Sequence, residues 1–114
     1  MTNPENDWSV EDPYIWFQDD RFWALVKDFQ GYFTGRGKCT VALFCSEDGI
    51  SWKPAKEAFA FSTQIVWDDG TTQKLTALER PQLLMENGKP KVLYCAASAT
   101  DNRMDSFNVA IPLN

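Results

Sequence analysis

Glu11-Asp12-Pro13-Tyr14-Ile15-Trp16-Phe17-Gln18-Asp19-Asp20-Arg21-Phe22-Trp23-Ala24-Leu25-Val26-Lys27 reads as an apolar run, a polar turn and a second apolar run. Apolar runs of this length between turn residues are consistent with buried strands. Asp19-Asp20-Arg21 is short enough to close a β-hairpin. Two acids stand before the first strand, and Lys27-Asp28 closes the second.

The same plan returns 68 positions later, without a gap, in Glu79-Arg80-Pro81-Gln82-Leu83-Leu84-Met85-Glu86-Asn87-Gly88-Lys89-Pro90-Lys91-Val92-Leu93-Tyr94-Cys95. Glu79 lies over Glu11, Pro81 over Pro13 and Leu93 over Leu25. Asn87-Gly88 takes the place of Asp19-Asp20, and Asn-Gly is among the strongest hairpin signals. The offset also carries 40–43 onto 108–111. Identities are few, so the evidence for an internal repeat is the match of strand, turn and strand; any two β-hairpins share part of that likeness.

Read in order, the chain gives strands at 14–17, 22–28 and 39–45, an edge-like strand at 53–61, and then 82–86, 91–97 and 107–113. The glycine-rich stretch 29–38 is a loop carrying Tyr32 and Phe33, which either stack on a sugar ring or cover the end of a sheet. Ser46-Glu47-Asp48-Gly49 is a turn that leads to Trp52. A long connector contains Gln64-Ile65-Val66-Trp67 and a turn at 68–73. No stretch of ten residues has a clean helical period. The expectation is a single all-β domain over 1–114, with one blade-like repeat at 9–61, a connector at 62–78 and a second repeat at 79–114. Tandem four-stranded meanders are the blades of a β-propeller.

Composition sets the outer bounds. The 114 residues are 44% hydrophobic and 14% aromatic, with a net charge of −5, which describes a folded domain able to bury a core. The acidic balance argues against a nucleic-acid partner, and no apolar stretch reaches the length of a membrane span. The opening residues 1–7 lack the features of a signal peptide, which reads as a cytoplasmic chain if this N-terminus is natural. Three cysteines and no histidine suggest no metal site of the common kind, no cofactor, and no Ser-His-Asp or Cys-His catalysis. Cys39, Cys45 and Cys95 read as small buried apolar residues.

Five motifs in order resemble the C-terminal two blades of five-bladed β-propeller glycoside hydrolases, the group around families 43 and 117. They are Glu11-Asp12-Pro13-Tyr14-Ile15-Trp16, Ser46-Glu47-Asp48-Gly49-Ile50-Ser51-Trp52, Val66-Trp67-Asp68-Asp69-Gly70-Thr71-Thr72, Leu78-Glu79-Arg80-Pro81-Gln82-Leu83-Leu84 and Asn108-Val109-Ala110-Ile111-Pro112-Leu113. The resemblance implies that the first strand of each blade lines a central axis and that acids at the starts of those strands do the chemistry. Asp12 matches a pocket acid, and Glu11, Glu79 and Arg80 fall near the same rim. Only two blades' worth of sequence is present, so the implied pocket is completed by other segments or chains.

Glycoside hydrolysis needs two carboxyl groups across the bond, roughly 5–5.5 Å apart for retention and 6.5–9.5 Å for inversion. Glu11 and Asp12 are adjacent and point to opposite faces of an extended strand, so the workable pair is Asp12 with Glu79. Arg80 either pairs with Asp12 or clamps a sugar hydroxyl, while Lys27 and Asp28 are candidates for the same pocket. Among the tryptophans, Trp8 and Trp67 lie outside the strong strands and are the sugar-stacking candidates. Two function classes follow: a glycosidase or a piece of one, or a non-catalytic module that binds carbohydrate or assembles. The apolar stretches 14–17 and 83–85 would be exposed in two isolated blades, so the chain is expected to be a homo-oligomer or part of a longer chain.

Overall fold

The computed structural model describes residues 10–113, the side chains of Glu11 and Arg103 excepted. The described chain is all-β apart from one 3-10 turn at Arg103–Asp105. The first sheet is an antiparallel meander of β1 (Val10–Gln18), β2 (Arg21–Asp28), β3 (Thr40–Ser46) and β4 (Lys53–Phe61). A small hairpin of β5 (Gln64–Val66) and β6 (Thr72–Lys74) follows. The second sheet is the three-stranded meander β7 (Ala77–Glu86), β8 (Lys89–Ser98) and β9 (Ser106–Pro112). The connector thus holds a hairpin of its own, and β7 begins five residues before the strand expected at 82–86.

Local chemistry accounts for the turns. Asp19 and Asp20 both have positive φ (55° and 61°), as do Asn87 and Gly88 (54° and 78°), the left-handed pairing that two-residue hairpin loops require. In the β3–β4 turn, Asp48 Oδ1 accepts the amides of Ile50 and Ser51 at 2.8 and 2.9 Å. Those amides, led by that of Ser51, and the Ser46 hydroxyl hold the Asp48 carboxyl below its usual range. Trp52 donates its indole N–H to the Gly49 carbonyl.

Both sheets open on the same irregularity. Glu11 pairs with Lys27 and Tyr14 with Leu25, so two residues of β1 face one of β2; Glu79 pairs with Ala96 and Gln82 with Tyr94 in the same manner. The extra residues are Asp12-Pro13 and Arg80-Pro81, and Asp12 and Arg80 share a left-handed backbone, φ 52° and 54°. Proline suits such a bulge because it has no N–H to leave unpaired in the ladder.

The ungapped overlay holds along β1 and β7 and then breaks. Met85 pairs with Pro90 but Leu84 with Val92, which leaves Lys91 as an extra residue in β8. Beyond it, the counterpart of Leu25 is Tyr94, not Leu93. In β9 the correspondence shifts the other way, so that Val41, opposite Lys27, matches Asn108, opposite Ala96.

The faces that meet are not counterparts of each other. The core between the sheets holds Leu25 and Val41 from the first, Ile65 and Leu75 from around the small hairpin, and Leu78, Leu93, Cys95, Ala97 and Val109 from the second. The other side of the first sheet has a separate cluster of Ala24, Val26, Ala42 and Phe44, with Val10, Phe33 and Trp52 packed on it. By the pairing above, Ala24 and Val26 are the counterparts of Leu93 and Cys95. The inward face of the second sheet therefore corresponds to the outward face of the first. The sheets follow one another front to back, approaching most closely where β7 meets β1 and β2.

Candidate functional site

The two bulges converge at one end of the inter-sheet space, where a cleft of about 530 Å³ is lined by Asp12, Lys27, Phe29, Glu79, Arg80, Ala96 and Ser106. Residues in left-handed backbone without being glycine are uncommon, and such strained positions cluster at functional sites. Here both bulge residues, Asp12 and Arg80, line the cleft. Their side chains face each other, Arg80 Nε lying 3.8 Å from Asp12 Oδ2. The pair is loose and solvent-facing, and the guanidinium has further N–H donors.

Deeper in, Lys27 of β2 and Glu79 of β7 form a buried ion pair through Nζ and Oε2. Lys27 Nζ also sits 4.7 Å from the centre of the Phe29 ring, a cation–π contact strengthened by its dry surroundings. Each ion pair thus joins one sheet to the other. Among the described residues, no buried side-chain nitrogen or oxygen lacks a hydrogen-bond partner.

The structure gathers Asp12, Glu79, Arg80 and Lys27 from the candidates and puts the rest elsewhere. Asp28 does not line the cleft. It is buried on the other side of β2, where its carboxylate accepts the amides of Tyr32, Phe33 and Thr34 at 3.2, 2.9 and 3.0 Å and pins the 29–38 loop. Phe33 packs on Phe44 and covers the outward face of the first sheet. Tyr32 is half exposed beside it, its ring edge-on to that of Phe33. Trp67 packs against the inter-sheet core and donates its indole N–H to Gln73, so it serves the small hairpin. The Glu11 side chain and Trp8 lie outside the described residues.

Phe29, Ala96 and Ser106 were not legible as cleft residues. Phe29 stood in a loop with two other aromatics, and only its place directly after Asp28, two residues from Lys27, hinted that its ring would share the lysine's side. Among the described residues no group of His, Cys, Asp or Glu is placed to hold a metal ion, and no helix is long and apolar enough to cross a membrane. The three cysteines are free thiols. Cys45 and Cys95 are buried as expected, and burial pushes the Cys95 thiol up to about 12. Cys39 is partly exposed at the end of its loop. No family model, curated protein or solved structure matches the chain.

Proposed function

We propose that this chain is a carbohydrate-binding module made of two β-propeller-like blades, and that the cleft between the bulges takes the sugar. The observation that carries this reading is the composition of the cleft: two carboxylates and two cations, one of each from either sheet, beside the Phe29 ring. Sugar hydroxyls both donate and accept hydrogen bonds, so they match a site that offers carboxylate acceptors and guanidinium donors together. An aromatic ring adds an apolar surface for the sugar's C–H face. The opposite charges cancel, so a neutral saccharide is the fitting ligand. The repeated bulge and the front-to-back order of the sheets support the blade description.

Hydrolysis is the second reading, and the same geometry weakens it for the chain alone. One carboxyl group must deliver a proton to the leaving oxygen, whereas Glu79 is engaged by Lys27 and Asp12 by Arg80. A glycan array followed by calorimetric titration of the best ligand tests the binding reading. The expected result is binding that Arg80→Ala and Asp12→Asn both weaken; an array with no bound glycan would sink it. Turnover of nitrophenyl glycosides by the purified chain, lost in Asp12→Asn, would favour hydrolysis instead.

A further inference from the structure

The front-to-back order of the sheets has a consequence for the two faces left uncovered. On the first sheet, the counterparts of the inward-facing Leu83 and Leu93 are Ile15 and Ala24, and they lie on the side turned away from the second sheet. Phe33 of the aromatic loop and Trp52 of the β3–β4 turn cover the β2–β3 part of that side. The strip along β1 stays open, with Ile15 50% and Phe17 56% exposed. On the second sheet, the counterparts of the inward-facing Tyr14, Trp16 and Leu25 are Gln82, Leu84 and Tyr94. These face outward, Leu84 49% and Tyr94 43% exposed, and Gln82 and Tyr94 line a shallow hollow with Asn108.

Each open face is therefore the counterpart of a face that is already packed within the chain. The open strip of β1 corresponds to the side of β7 that rests on the first sheet. The open side of β7 corresponds to the side of β1 that receives the second sheet. One molecule carries both halves of a contact whose geometry it already uses internally, where Tyr14 donates its hydroxyl to the Leu83 carbonyl at 3.2 Å. We propose that a second copy of this chain docks head to tail, setting Ile15 and Phe17 of its β1 against Leu84 and Tyr94 of the first copy. Gln82 stands in for Tyr14 and offers its amide N–H to the backbone at Ile15. The contact is heterologous, joining different surfaces of two identical chains, so it propagates until the rotation closes a ring. With two sheets per chain, any such ring has an even number of sheets.

The docking faces adjoin the cleft, whose Arg80 and Ala96 also border the hollow, but the contact itself rests on Ile15, Phe17, Leu84 and Tyr94, none of which lines the cleft. Sedimentation velocity over a wide concentration range tests it. The expected mass is a multiple of the 13.0 kDa chain; a monomer at every concentration would overturn the proposal. Ile15→Glu blocks one face and Leu84→Glu the other, and each alone is expected to be monomeric, with an unchanged circular dichroism spectrum because both side chains are exposed. Mixed in equal amounts, the two variants retain one good face each and should form a one-to-one dimer. A mixture that stays monomeric, or either single variant that assembles as the wild type does, refutes a head-to-tail contact. Should a glutamate variant fail to fold, Ile15→Thr and Leu84→Thr carry the same expectations.

Discussion

Lys27–Glu79 and Arg80–Asp12 both tie the first sheet to the second, and Glu79 and Arg80 are neighbours in sequence. The first pair is buried, with an aromatic ring over the ammonium. The second is at the mouth of the cleft, 3.8 Å apart, with the arginine side chain 71% exposed. Alternation of side chains at the bulge sends one residue inward and the next outward. Depth then separates the roles: the inner pair holds the sheets in place, and on the carbohydrate-binding proposal the outer pair exchanges its partner for a ligand.

The largest test of that distinction is Glu79→Ala. It leaves the Lys27 ammonium buried without its carboxylate, and breaking a buried pair in this way costs about 3–5 kcal/mol. Urea unfolding measures it, and a loss under about 1 kcal/mol, the range of exposed pairs, would erase the difference between the two. The double variant Lys27→Met with Glu79→Leu removes both charges and should recover most of the loss, since apolar replacement of a buried pair is often neutral or better.

Arg80→Ala should barely change the melt, by about 0–1 kcal/mol. Its effect falls on the ligand: losing a hydrogen bond from a charged donor, worth about 1.5–3 kcal/mol, weakens glycan affinity about tenfold or more. An affinity unchanged in Arg80→Ala would remove the outer pair from the site.

The smallest effect concerns the thiols, which report depth directly. A thiol reagent at mildly alkaline pH should modify Cys39 first, with Cys45 and Cys95 reacting only as the protein opens. Burial raises the Cys95 thiol from 9.0 to about 12, so below pH 9 both folded and unfolded chains keep the proton and stability is unaffected. Between those values the unfolded chain releases it and the folded one does not, so stability falls as pH rises. Equal labelling rates for Cys39 and Cys95 in the folded protein would contradict the dry interior.

The hairpins were legible because their signals are local. Asp19-Asp20 and Asn87-Gly88 dictate left-handed turns wherever the rest of the chain lies, and the unbroken apolar runs of β2 and β3 announce strands covered on both faces. The β4 span at 53–61 was likewise set by its own alternation. Three of the cleft residues, Asp12, Glu79 and Arg80, were readable from the repeated Glu-x-Pro pattern, which marks the bulges, and Lys27 from its place at the end of β2. Asp28 was misplaced because its partners are the amides of a loop, and amides leave no trace in a side-chain pattern. The face exchange was hidden for a related reason. An overlay that counts similar residues prefers Leu25 on Leu93, and only the pairing of strands reveals that Lys91 intervenes.

Lys91 matters by standing outside the ladder. Side chains along a strand alternate up and down, so a one-residue slip in pairing turns a strand over. Paired in sequence opposite Leu84, Lys91 would push Leu93 across from Gln82 and turn Leu93, Cys95 and Ala97 away from the first sheet. As an extra residue it keeps Leu93 across from Leu83, on the side that packs. The two sheets then lie like consecutive cards in a deck, every picture against a back, and such a deck always has room for the next card.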